Sequence, residues 1–398
     1  MSLNLDKSAW KRVRLGDVIR RSRRQVDPFE VGVERYVAGG HIDGDSITID
    51  RWGDAGDGQM GSTFRYVFEA RQVLFVSARP YLRKCGIVDF SGVVADKTYV
   101  LDAIPETGLL QEFLPFVLAS DAFIAYATAE ATGSMNPRLL WGPFQRYEFD
   151  LPPLDEQKRI ADLLWAMERH KRALWESRDA ALAAHRVWLD ETIKGLDKAR
   201  HRTVGELIAA KELTLLTGPF GSTLSAKEFI EGGIPVIHPS HIREGRATAD
   251  PRSTLPPIRA EELKRWQVAA GDIVMMRKGD VGRSAIITPE QAGWIISSDC
   301  ISIRLSEDAS LSPEFLRLAL SAPTAMATLL RNAPGTTMPG INERSLQTIS
   351  VPALDDSEQS SMIEKSQRLE SLTDRLRTER DAVTEACASV LAEVFGGN

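Results

Sequence analysis

Cysteine is scarce: Cys85, Cys300 and Cys387 are the only three in 398 residues, at no paired spacing. That excludes a disulfide framework or a cysteine-built zinc site and suits a reducing compartment. No run approaches the roughly 18 apolar residues of a membrane span. The opening stretch "MSLNLDKSAWKRVRLGDVI" lacks the apolar core of a signal peptide, so a cytoplasmic protein without membrane contact is expected. No GxxxxGK[ST] phosphate loop occurs. The nearest approach to an acid-Pro-Pro-aromatic catalytic loop is "DLPPL" at 150–154, where Leu151 intervenes and Leu154 is not aromatic. His238 and His241 are spaced like a metal pair, but no further Cys or His lies nearby. These absences leave no positive case for an enzyme, and no catalytic or metal-binding residue is expected.

What is present is unevenly distributed. Forty-nine basic and 55 acidic residues give a net charge of −6, which taken alone argues against a polyanion binder. Residues 355–394, however, hold 10 acidic against 5 basic residues and carry most of the excess. The segment "KRVRLGDVIRRSRR" (11–24) holds seven basic residues against one acid. A nearly neutral body with local basic patches can still bind a polyanion.

The chain also repeats itself. "LPPLDEQKRIADLLWAM" (151–167) returns as "VPALDDSEQSSMIEKSQRL" (351–369), "LGDVI" (15–19) as "VGELI" (204–208), and His41-Ile42 as His241-Ile242. Each copy reads as about 150 residues of mixed, β-rich sequence followed by a helix, over 155–194 and 356–394. Apolar residues recur at strict sevens at Ile160, Met167, Leu174, Ala181 and Trp188, and at Met362, Leu369, Leu376, Val383 and Val390. The shared register predicts that the two helices pair as a coiled coil, rather than each lying on its own domain. Prolines 152, 153 and 352 mark the entry turns, and Asp155 and Asp356 suit helix N-termini. "QVLFVSA", "GDIVMMR" and "CISIRL" have strand composition, while 109–128 and 312–330 read as helices at equivalent places. The expected class is α+β, with boundaries at 1–150, 151–198, 199–350 and 351–398.

Basic turns recur at matching places: Arg79, Arg83 and Lys84 in the first copy, Arg277, Lys278 and Arg283 in the second. Polar loops recur too, with Ser134, Asn136 and Arg138, then Thr336, Thr337, Asn342 and Arg344. A flexible cation on a turn reaches phosphate or a guanine edge, and amides and hydroxyls suit base-edge readout. These are the candidate DNA-binding residues.

Two β-rich halves, each ended by a Pro-x-Leu-Asp helix entry with a Gln shortly after it (Gln157, Gln359), resemble the DNA-specificity subunit of type I restriction–modification systems. "GPFGSTLSAKEF" (218–229), "GIPVI" (233–237) and "GDIVMMRKGDVG" (271–282) resemble its recognition domain. The first half departs from this pattern, carrying "RRSRRQVDPFEVG" where "GPFGSTLS" would fall. The resemblance implies two target recognition domains held on a pair of antiparallel helices, with no catalysis and no cofactor on this chain. Double-stranded DNA, two methyltransferase subunits and motor–nuclease subunits would be its partners, and S-adenosylmethionine, ATP and Mg would belong to those subunits. Two half-similar domains would read an asymmetric, bipartite site. A nucleic-acid enzyme with a divergent active site and a protein-only scaffold remain open alternatives.

Overall fold

The computed structural model describes residues 5–44, 46–220, 223–243, 245–331 and 340–396. Two compact units result, and the first is discontinuous in sequence: Met1–Glu176 with Leu376–Asn398 form unit 1, and Ser177–Arg375 form unit 2.

In unit 1, five strands lie in the spatial order Ile19–Ser22, Thr98–Ala103, Val73–Val76, Cys85–Val88 and Thr48–Ile49. The central "VLFV" is buried at every position because both sheet faces are covered. Val73 and Phe75 pack with the helices Leu114–Ala119 and Asp121–Ala129. Leu74 and Val76 pack with Val37 and Val94 of a second sheet. That sheet orders Gly53–Asp54, Arg35–Val37, Gly92–Ala95 and Phe64–Phe68, with Arg35–Val37 parallel to Gly92–Ala95.

Unit 2 repeats this plan. Leu213–Thr217, Cys300–Leu305, Ile273–Met276 and Ser284–Ile286 form its main sheet. Ile273 and Met275 meet helix Pro313–Ser321, whereas Val274 and Met276 meet Ile237 and Ile296 of the smaller sheet. There Ile234–Ile237 again runs parallel to a partner, Ile295–Ile296. The segments expected as single helices each split in two. Ser120 ends one helix and caps the next through the Phe123 amide, and in unit 2 the break falls at Ala322-Pro323.

Each domain is closed by an antiparallel ribbon, Lys11–Arg14 with Glu148–Leu151 in unit 1 and His201–Thr203 with Ser350–Pro352 in unit 2. A long helix follows each ribbon: Leu154–Lys194 and Asp356–Phe395. Within unit 1, Ile160 and Leu164 near the start of the first helix share a core with Val390 and Val394 near the end of the second. Within unit 2, Leu189 and Ile193 near the end of the first share a core with Met362 near the start of the second. The helices are antiparallel.

The sevens are buried at Ile160, Leu174, Met362 and Val390, and half-buried at Met167, Ala181, Trp188, Leu369, Leu376 and Val383. Between them runs a second inward series that is largely polar: Gln157, Lys171, Arg178 and His185 on the first helix, then Gln359, Ser366, Thr373 and Arg380 on the second. These groups are partnered. Lys171 pairs with the buried Glu168 at 2.6 Å, His185 meets Ser366 at 3.0 Å, and Arg380 lies over the Trp175 ring.

Candidate nucleic-acid interface

The helix entries come first, because they position everything else. Gln157 is 0% exposed and Gln359 2% exposed. The Gln157 Oε1 accepts from the Leu110 amide, and its Nε2 donates to the Gly108 and Pro152 carbonyls, at 2.7–2.9 Å. The Gln359 side chain accepts from the Ser312 amide and donates to Ser310 and Leu354, each at 2.9 Å. One amide thus ties each long helix to the loop that leads into its domain's helical pair. A side chain that both donates and accepts is required here, which explains why Gln recurs in the repeated motif.

The basic turn and the polar loop meet in each unit. In unit 1 the Arg79 amide donates to the Pro137 carbonyl at 2.7 Å, and Ala78 and Thr132 each bridge to Arg138. The hairpin 132–138 thereby lies beside the turn, exposing Ser134, Met135 and Asn136, with Met135 at 88%. In unit 2 the Ile341 amide donates to the Arg277 carbonyl at 2.9 Å, and the Arg277 guanidinium donates to Ile341 and Ser298 while lying over the exposed Phe220 ring. Thr336 and Thr337 fall outside the described residues.

Many of the candidate cations are occupied within their domains. Arg83 donates to Asp121 and the Ala119 carbonyl, and Lys84 to the Gly39 carbonyl. Arg138 holds Ser77 and Asp96, Lys278 pairs with Asp299 at 2.9 Å, and Arg283 bonds Asp280 and Ile242. Asn342, expected to read bases, accepts from the Ser345 amide and caps helix Glu343–Gln347. Arg79 and Arg344 are exposed, with no side-chain partner among the described residues.

The two turns differ in one informative way. The bonds Val76 N–Lys84 O and Met276 N–Arg283 O close equivalent strand ends. Arg79 then matches Gly279, three residues after the strand, and Arg83 matches Gly282, just before the closing residue. All four have positive φ: 51° and 56° for the arginines, 76° and 86° for the glycines. Left-handed backbone is free for glycine and costs an arginine roughly 1 kcal/mol. Arg83 offsets this through its bonds to Asp121 and Ala119, but Arg79 has no such internal compensation. Among the described residues no side-chain hydrogen bond or ion pair compensates the left-handed backbone at Arg79.

The paired histidines are structural. His41 Nδ1 accepts from the Ala38 amide, and His241 Nδ1 lies 3.1 Å from the Val236 carbonyl and 3.4 Å from the His238 amide. Burial lowers the pKa of His41 and of His238. Burial also raises the Cys300 thiol to about 12, leaving it inert. Among the described residues no cluster of three His, Cys, Asp or Glu is placed to hold a metal, and no helix is long and apolar enough to cross a membrane.

No family model matches the chain, and no curated protein matches it in sequence. Solved structures do. A chain from a type I R-M system, solved for its complex assembly and conformational transition, superposes at TM-score 0.59 with 21% identity, covering 98% of both chains. A type I restriction-modification S subunit from M. genitalium superposes at TM-score 0.54 with 14% identity, covering 100% of both. The HsdS subunit of Thermoanaerobacter tengcongensis aligns over 98% of this chain and 97% of its own at 20% identity, with a TM-score of 0.41. The chain has, from end to end, the fold of type I restriction–modification S subunits.

Proposed function

We propose that the chain is the DNA-specificity subunit of a type I restriction–modification complex. Each unit reads one half of an asymmetric, bipartite site in double-stranded DNA. The long helices set the spacing between halves and dock two methyltransferase subunits, to which motor–nuclease subunits add. Catalysis, with S-adenosylmethionine, ATP and Mg, belongs to those partners, and the chain works in the cytoplasm.

The observation that carries this reading is the paired architecture. Two domains of one topology are locked to long helices by the same buried glutamine, yet their turn-and-hairpin surfaces carry different side chains. One scaffold presenting two different polar surfaces suits two different half-sites. The test is selection of preferred sites from random DNA by the chain assembled with its methyltransferase subunits. Two unlike half-sites at a fixed spacing are expected. Recovery of a single continuous site, or of none, rejects the reading.

A further inference from the structure

The basic run at 11–24 is largely neutralised by the fold. Arg12 and Arg14 pair with Asp150 and Glu148 across the closing ribbon, Arg20 with Asp102, and Arg24 with Glu69. Of the three left without an ion pair among the described residues, Lys11 and Arg23 are exposed and Arg21 alone is half-buried. Its strand Ile19–Ser22 is an edge of the main sheet, and Arg21 lies opposite Leu101, on the same face as the buried Ile19. Its guanidinium carbon sits 4.2 Å from the Tyr99 ring centroid, 5.7 Å from Trp141 and 6.0 Å from Tyr66. No carboxylate reaches it among the described residues, and its buried Nε finds no acceptor. Two further cations act on it, Arg23, which is exposed and has no ion pair among the described residues, and Arg138.

Three rings can hold a guanidinium plane in place, but they do not neutralise its charge. A half-desolvated cation with no carboxylate beside it calls for an anion. Its Nε is enclosed, so an outside anion meets the rest of the guanidinium. A neutral base edge would leave the charge. The site also adjoins the hairpin already described: the Tyr99 hydroxyl donates to the Leu139 carbonyl, directly after Arg138, and Trp141 follows two residues later. An inward-facing charge on an edge strand also guards against edge-to-edge pairing. Unit 2, however, places Leu215 opposite Ile303 at the equivalent register of its own edge strand, so the fold does not need a charge there.

We propose that Arg21, clamped by Tyr99, Tyr66 and Trp141, takes a phosphodiester oxygen of the DNA backbone, a contact unit 1 makes and unit 2 does not. This rests on the DNA-reading function above and deepens it.

The test compares the wild-type chain with Arg21→Leu (the residue unit 2 uses), Arg21→Gln and Arg21→Lys, each assembled with its methyltransferase subunits. DNA affinity is measured from 0.1 to 0.3 M salt, and thermal melts report folding. Loss of one phosphate contact reduces the log–log salt slope by about 0.9, so the wild-type advantage over a neutral variant shrinks roughly threefold across that range. The loss is uniform across DNA sequences, and lysine restores the slope. A folded neutral variant that keeps the wild-type slope overturns the proposal, whether its base preference changes, its stability falls or it aggregates. Arg21→Gln, polar and less disruptive, keeps this test available if Arg21→Leu fails to fold. Wild-type complex that binds DNA without salt sensitivity, or not at all, overturns both this proposal and the functional reading. A normal wild-type slope shared by the variants overturns only the role of Arg21.

Discussion

Gln157 and Gln359 make the same three hydrogen bonds, one in each half of the chain. Replacing Gln157 by Ala takes the partner from the buried Pro152 carbonyl and from the half-buried Leu110 amide and Gly108 carbonyl. The expected destabilisation is about 2–3 kcal/mol, read from denaturant unfolding. Gln157→Glu restores the acceptor but not the donor and buries a charge, so it should be no better than alanine. A loss below about 0.5 kcal/mol for Gln157→Ala, the size of an ordinary surface change, would mean that the clamp is redundant.

Arg79 offers the opposite case, in which a substitution relieves the fold and harms the function. Arg79→Gly removes left-handed strain and should leave thermal stability unchanged or raise it, by up to about 1 kcal/mol. DNA affinity should fall in the same variant. Arg83→Gly also relieves strain but loses the bonds to Asp121 and Ala119, so it should destabilise. If Arg79→Gly binds DNA as well as wild type, the side chain is not what the strain maintains.

Acid sensitivity should appear along the helix pair. Burial lowers the pKa of His185, with Arg317 and Arg186 acting in the same direction and Glu370 opposing. The folded state therefore prefers the neutral ring. Its contribution is full above the ordinary value near 6.5 and is lost as pH falls through that value toward the lowered one. Melting temperature should drop between pH 7.5 and 5, and His185→Gln should remove part of that drop. His41 and His238, also lowered by burial, act in the same direction. An identical pH profile for His185→Gln and wild type would show that the ring is not linked to stability.

Insertion of seven residues into both long helices, at equivalent positions in the interleaved series, keeps the alternation of apolar and polar layers. Insertion into one helix alone shifts its layers by a whole repeat, and the added layer finds no counterpart on the partner helix. The double insertion should fold and bind unchanged half-sites at a spacing longer by about three base pairs, since seven residues add about 10 Å of helix. The single insertion should lose stability. Site selection with the doubly extended protein returning the original spacing would separate the helices from the spacing rule.

Much of this architecture is legible in the sequence. The helix expected over 155–194 runs Leu154–Lys194, because seven-residue periodicity and the flanking prolines are local signals. "CISIRL" is the strand Cys300–Leu305, with Ile301 and Ile303 supplying the β-branched positions. Other features are not local. Gln157 is marked by the repeated motif, but its clamp is not visible until the Gly108–Leu110 loop folds over it. Arg21 reads as one of a charge run, and only Tyr99 and Trp141, brought from elsewhere in the chain, distinguish it from Arg20. Asn342 was legible in part: Asn followed three positions later by Ser is a helix-cap signature as much as a polar loop. The left-handed turn at Arg79 and Arg83 carries no glycine to announce it.

The discontinuity of unit 1 bears on how the protein is made. Val390, Val394 and Phe395 complete a core otherwise built before residue 176, with the Phe395 ring 5.5 Å from that of Phe113. During translation this earlier domain waits, with an apolar seam open, while all of unit 2 is synthesised. Unit 2 is one unbroken segment and has every piece it needs by Arg375. The half made first is therefore the half finished last. A nascent chain arrested after Arg375 should bind chaperones through its first domain, and a frameshift beyond Arg375 should damage the domain more than 200 residues upstream before the one beside it.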